Sequence, residues 1–218
     1  MIPFALPLDR APRILCLGAH SDDIEIGCAG TLLQWAQQRP EIEVMWAVLS
    51  AAGERAAEAR RSARALLPKQ KPQLVIEEFP DGHLPSEFPR AKAFLAGLRE
   101  RFVPDVVFTH RLEDRHQDHR LVAELSWQLW RDQLILEYEI PKWEGDLGLP
   151  NLYVPLDKSL AERKLRHLLK HFGTQRSKGW FNEEVFRSLM TIRGIECRAE
   201  SGLAEAFHLR KSVLRFGG

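Results

Sequence analysis

The sequence lacks what marks secreted, membrane-spanning or nucleic-acid-binding chains. Cysteine is scarce and odd in number: Cys16, Cys28 and Cys197 are widely spaced. That excludes a disulfide framework and points to reduced thiols in a cytoplasmic protein. No stretch approaches the ~20 consecutive apolar residues of a membrane helix, so no membrane span is expected. Met1–Leu8 is apolar, yet it holds Pro3 and Pro7 and lacks a charged leading segment, so it does not read as a signal peptide. Charge of one sign is missing too. Lys and Arg number 31 against 30 Asp and Glu, for a net charge of +1, so composition asks for neither nucleic acid nor a charged membrane. The run Arg60-Arg61-Ser62-Ala63-Arg64 reads as a solvated helix face. No internal repeat, low-complexity tract or clear linker interrupts the chain, which reads as one domain over residues 1–218.

What is present is an alternation of apolar runs and amphipathic stretches, with 44% apolar residues to build a core. Strands are predicted at Arg13–Leu17, Glu43–Leu49, Leu74–Glu78 and Asp105–Thr109. Helices are predicted at Cys28–Gln38, Glu54–Leu67, Ala91–Phe102 and Leu121–Trp130, several of them ended by a following Pro. Strand–helix alternation of this kind is the pattern of an open parallel α/β sheet. A Rossmann-like three-layer domain is therefore expected, its mostly parallel sheet ordered 3-2-1-4 with additional strands toward the C-terminus. Those additions are Leu134–Ile140, Asn151–Pro155 and Gly202–Leu209, with helices from Asp157 to Phe172 and over Phe181–Arg193. The core falls in 11–131 and a variable, substrate-facing part in 132–218.

Two polar clusters follow the first and fourth strands. One is His20-Ser21-Asp22-Asp23-Ile24-Glu25. The other is His110-Arg111-Leu112-Glu113-Asp114-Arg115-His116-Gln117-Asp118-His119. In a 3-2-1-4 sheet those strands are neighbours at the topological switch point, and the clusters meet across one crevice. Two imidazoles and one carboxylate make a catalytic zinc set with an open position for water, whose pKa falls toward ~7 on the metal. The same set also describes a non-haem iron(II) oxygenase. His20 and Asp23, three apart across a turn, can chelate one ion and leave Asp22 free as a base. His116 and His119 share a helix face, so one can ligate while the other stands off as an acid. Asp118 can orient an imidazole. His167 and His171 read as helix-surface imidazoles; His83 and His110 lie close to strand ends and could line the pocket, but each reads as a surface imidazole. Trp143, Trp180 and Phe207 read as packing residues, with stacking on a ligand ring as the lesser reading. Glu205 reads as a residue that orients a ligand or closes the pocket.

Ala19-His20-Ser21-Asp22-Asp23, followed by Gly27, resembles the Ala-His-Pro-Asp-Asp motif of the PIG-L/LmbE-like N-acetylglucosaminyl deacetylases. His116-Gln117-Asp118-His119 resembles that family's His-x-Asp-His. Gly53-Glu54-Arg55-Ala56-Ala57-Glu58, Phe79-Pro80-Asp81-Gly82 and Ala204-Glu205-Ala206-Phe207 resemble further family segments in the same order. The resemblance implies zinc-dependent removal of an acetyl group from an N-acetyl sugar or its conjugate, Fe²⁺ or another divalent ion being an alternative. By motif, it implies zinc ligands His20, Asp23 and His119, Asp22 as general base and His116 as acid or oxyanion stabiliser. Arg55 and Asp81 would contact the sugar. Ser21 stands where the family has Pro. Arg176 and Lys178 lie on a loop suited to an anionic group. The expected partner is a small molecule, with homo-oligomerisation left open. A non-catalytic sugar- or nucleotide-binding domain is the competing reading, against which Asp22 and His116 argue, since a binder needs neither.

Overall fold

The computed structural model describes residues 9–213; Met1–Leu8, and with it the signal-peptide reading, lies outside the described residues. The first strand, β1 (Arg13–His20), is buried on both faces. Ile14 and Cys16 point into one apolar cluster, Leu15, Leu17 and Ala19 into the other. Only a strand inside a sheet covered on both sides needs such a continuous apolar run. β2 (Glu43–Ser50), β3 (Gln73–Ile76), β4 (Val106–Thr109) and β5 (Leu134–Tyr138) complete the parallel part.

The sheet has seven strands in the order β3-β2-β1-β4-β5-β7-β6, which contains the expected 3-2-1-4 and extends it. β6 (Leu152–Pro155) and β7 (Ala204–His208) are the additions. β7 inserts between β5 and β6, antiparallel to both. Helices α1 (Asp23–Gln38), α2 (Gly53–Leu66), α5 (Lys158–His171) and α6 (Glu183–Cys197) cover one face; α3 (Phe88–Arg101) and α4 (Gln117–Leu129) cover the other. No helix among the described residues is long and apolar enough to cross a membrane.

Differences from the predicted boundaries have physical causes. α1 begins at Asp23, five positions earlier than expected, so both Asp23 and Glu25 fall in its first turn, where the helix dipole favours carboxylates. Gly27, which reads as a break, lies inside the helix: a Cβ there would stand 2.4 Å from the Tyr138 ring, so its role is close approach to β5. α4 likewise begins at Gln117, which places Asp118 and His119 in its first turn. α6 starts at Glu183 because the Asn182 side chain accepts from the Val185 N–H at 2.9 Å, the ordinary capping bond. It ends after Cys197, at Arg198 with φ 57°.

Candidate metal centre

β1 and β4 are hydrogen-bonded neighbours, and their carboxyl ends deliver the two polar clusters to one place. His20 is the last residue of β1, and Asp23 opens α1. His119 comes from the first turn of α4. His20 Nδ1 stands 3.1 Å from His119 Nε2. The Asp23 carboxylate lies 3.5 Å from His20 Nδ1 and 3.6 Å from His119 Nε2. Ligands held ~2.0–2.1 Å from a tetrahedral ion stand about 3.3–3.4 Å apart, and each ring nitrogen is near that distance from one Asp23 oxygen, His20 from Oδ2 and His119 from Oδ1. Among the described residues, three sets of donors lie close enough together for one ion: His20, His116 and His119; Asp23, His110 and His119; and His20, Asp81 and Asp118.

The hydrogen bonds behind these rings decide which nitrogen faces the centre. His119 Nδ1 is 3.0 Å from Asp114 Oδ2. His20 Nε2 is 3.2 Å from Asp118 Oδ2 and 3.0 Å from Asp81 Oδ1. The carboxylate behind His119 takes its Nδ1–H and leaves Nε2 as a lone pair facing the centre. His20 Nδ1 meets that lone pair at 3.1 Å, a spacing that either a proton on His20 or a cation between the rings satisfies. The donor set therefore fits a divalent ion.

The electrostatics separate the two rings. Burial, assisted by His110, pushes the His119 pKa down to about 3, so it is neutral and ready to ligate. Burial opposes ionisation of Asp23, yet His119, His110 and His20 hold it well below the ordinary carboxylate range. Burial also opposes ionisation of Asp114, and the bond from His119 with the positive charge of Lys142 outweighs it. His20 is the reverse case: burial disfavours its charge, but Asp23, Asp118 and Asp81 push its pKa well up. Asp22 differs from its neighbour. Burial and then Asp23 raise it to about 6, and it makes no side-chain capping bond to α1. His116 is half-buried, stacked on His119 with ring centroids 4.5 Å apart. Burial and His20 lower its pKa, and its Nδ1 accepts from the Asp118 N–H at 3.2 Å.

The remaining expected residues are placed as follows. Asp118 orients His20 rather than a ring on its own helix, and its carboxylate also accepts from the Gly82 and Leu84 N–H groups at 2.7 and 3.0 Å. Asp81 pairs with Arg55 Nη1 at 2.5 Å as well as backing His20. Ser21 accepts a long 3.4 Å bond from Arg55 Nε. Lys178 bears electrostatically on Asp22 and lies over Trp180. Arg176 instead turns back to donate to the Leu169 carbonyl at 2.6 Å, so of that pair only Lys178 addresses the site. Glu205 does not face the centre. It accepts from Gly30 N, Thr31 N and Lys164 Nζ. Glu25 points away, to Ser62. Phe207 is core, whereas Trp143 is 74% exposed.

His110, read from sequence as a surface imidazole, is fully buried. Its Nε2 lies 3.1 Å from Asp23 Oδ2, 2.9 Å from the Ala19 N and 3.2 Å from the Tyr138 hydroxyl. Its position directly after β4, at the switch point, was the available signal. Asp114 and Lys142 had no signal beyond residue type.

The fold and this constellation define a family. A model described as PIG-L, GlcNAc-PI de-N-acetylase, matches residues 15–130, and the chain belongs to that family. Among its relatives, the chain is 30% identical over 175 residues to the uncharacterized deacetylase YaiS of Escherichia coli K12, covering 75% of this chain and 92% of that protein. The fold is shared with the N,N'-diacetylchitobiose deacetylase of Pyrococcus horikoshii at 21% identity and TM-score 0.69, covering 93% of this chain and 85% of that one. It is also shared with GalB, the 4-carboxy-2-hydroxymuconate hydratase of Pseudomonas putida KT2440, at 16% identity and TM-score 0.73, covering 94% and 99%.

Proposed function

We propose that this chain is a zinc-dependent N-deacetylase acting on an N-acetylated amino sugar or its glycoside or nucleotide conjugate. Its single domain carries the metal ligands His20, Asp23 and His119. The observation that carries the reading is the convergence of His20, Asp23 and His119 from the ends of two neighbouring strands, the two ring nitrogens 3.1 Å apart with carboxylates behind both rings. Beside them Asp22 is held at about 6. When bound, the ion supplies a Lewis acid for the acetamide carbonyl and lowers the pKa of a water.

The chain's own residues do the rest. Asp22, with a pKa close to neutrality, takes the proton of the attacking water. His116, its neutral form favoured by burial and its Nδ1 accepting from the Asp118 N–H, donates Nε2–H to the tetrahedral oxyanion; the proton taken up by Asp22 passes to the departing amine nitrogen, and acetate leaves. Arg55, fixed by Asp81 and Ser21, binds the sugar beside the acetamide. The family relationship and the named deacetylase relatives support this chemistry. The hydratase neighbour shows that the fold alone does not decide it.

The test is acetate release from a panel of N-acetyl sugars, sugar nucleotides and glycolipids, with metal content measured in parallel. Asp22→Asn is expected to lower kcat by about 10²- to 10⁴-fold while retaining zinc. Unchanged turnover in that variant removes Asp22 as the base. A zinc-replete wild type that releases no acetate from any member removes the deacetylase reading.

A further inference from the structure

Behind His119 lies a buried charge cluster that neither the motifs nor the catalytic scheme uses. Lys142 Nζ is 3.0 Å from Asp114 Oδ2 and 2.7 and 2.8 Å from the two oxygens of Asp146. The side chains are 5%, 4% and 5% exposed. Asp114 is the carboxylate that accepts from His119, and its other oxygen accepts from the His116 N–H at 2.8 Å. Asp146 reaches the same turn from the other side, accepting from the Arg115 N–H at 2.7 Å. Its carbonyl accepts from Arg111, and at Gly148 a Cβ would fall 1.8 Å from the Arg111 guanidinium. The segment 141–150 is thus seated on the turn that carries the candidate metal and oxyanion histidines.

Taking an ammonium and two carboxylates out of water costs several kcal/mol per ion. An apolar anchor would hold a loop without that cost, so a purely mechanical tether does not explain the choice. A carboxylate hydrogen-bonded to a ligand histidine fixes that ring's tautomer and direction. Here the same carboxylate is held by the loop's lysine. Resting on the metal-centre reading, we infer that Lys142 is a positioning residue. Through Asp114 it aligns His119, and through Asp146 it ties the order of segment 141–150 to occupancy of the centre. Coupling of this kind is reciprocal: an ion that steadies His119 steadies the segment, and a substrate held by the segment tightens the ion. Trp143, next in the chain and packed beside Gly179, places the segment's outer edge against the loop that carries Lys178.

The test uses Lys142→Met and Lys142→Arg in the full chain. Zinc affinity is measured by chelator competition, and amide exchange of 141–150 is followed with and without zinc. In wild type, zinc should slow exchange across the segment. In Lys142→Met, zinc affinity should fall about tenfold or more and the zinc-dependent protection should vanish. Lys142→Arg should restore both in part. Wild-type affinity together with intact zinc-dependent protection in Lys142→Met would overturn the inference and leave the metal centre standing. Should Lys142→Met not fold, Asp146→Asn serves: loss of zinc-dependent protection with a smaller drop in affinity supports the coupling, and unchanged protection defeats it. A wild type that binds no divalent ion removes the metal reading and the coupling together.

Discussion

At the scale of single residues, the centre depends on carboxylates that never need to touch an ion. Asp118 is fully buried and Asp81 is half-exposed, yet both face His20 Nε2. The buried one holds its place through two backbone N–H groups, so it defines the ring's direction. Asp118→Asn is expected to weaken zinc binding by about 10-fold or more, and Asp81→Asn by less, because water and Arg55 compete for its oxygens. Chelator competition on the two variants checks the order, and equal effects would deny Asp118 its orienting part. Part of this was legible in the residues themselves: the two polar clusters were expected to meet because β1 and β4 had to be neighbours, while the choice of His119 over His116 as ligand came from the family resemblance. The partnership of Asp118 with His20 was not, since helical spacing directs attention to rings on the same helix. His110 was misjudged because an imidazole after a strand is ordinarily solvated, whereas here the Ala19 N–H, the Tyr138 hydroxyl and the Asp23 carboxylate all meet its Nε2.

At the scale of elements, α1 is the part everything else braces. Its first turn carries Asp23, its Gly27 admits Tyr138 of β5, and its middle is held by Glu205 from β7. Glu205 accepts from Gly30 N at 2.8 Å, from Thr31 N at 2.7 Å and from the Thr31 hydroxyl at 2.6 Å. It also pairs with the buried Lys164 of α5 at 2.6 Å. Glu205→Ala leaves that buried ammonium without its counter-ion, only the Ile26 carbonyl at 2.6 Å remaining to it, and should cost about 3–5 kcal/mol. The midpoint of urea unfolding reads this directly; a loss below ~1 kcal/mol would mean that water replaces the carboxylate. The parallel strands and their helices were legible as apolar runs ended by Pro. The insertion of β7 between β5 and β6 was not, because antiparallel pairing at a sheet's far side leaves no periodic trace in short strands. The starts of α1 and α4 were also late in the sequence reading, since polar first turns look like loop.

At the scale of the whole molecule, stability should bend with acid. Burial lowers the His167 pKa to about 3 from its ordinary 6.5, with Ser62 Oγ 2.8 Å away. The unfolded chain takes up that proton below about pH 6.5 and the folded chain does not. Stability is therefore full above that pH and falls as pH drops toward 3. Allowing for the ring's partial exposure, His167→Gln should recover about 1 kcal/mol of the stability lost between pH 7 and pH 5. Unfolding curves at the two pH values decide it, and parallel losses in wild type and variant would assign the acid sensitivity elsewhere.

The two rims of the sheet, β3 and β6, have four residues each, and β6 closes on Pro155. A rim that short, stopped by a residue with no N–H to give, offers a neighbouring copy almost no ladder to extend. Among the described residues, then, neither rim presents a long ladder for edge-to-edge growth, and the β6 rim adds a proline stop that β3 lacks.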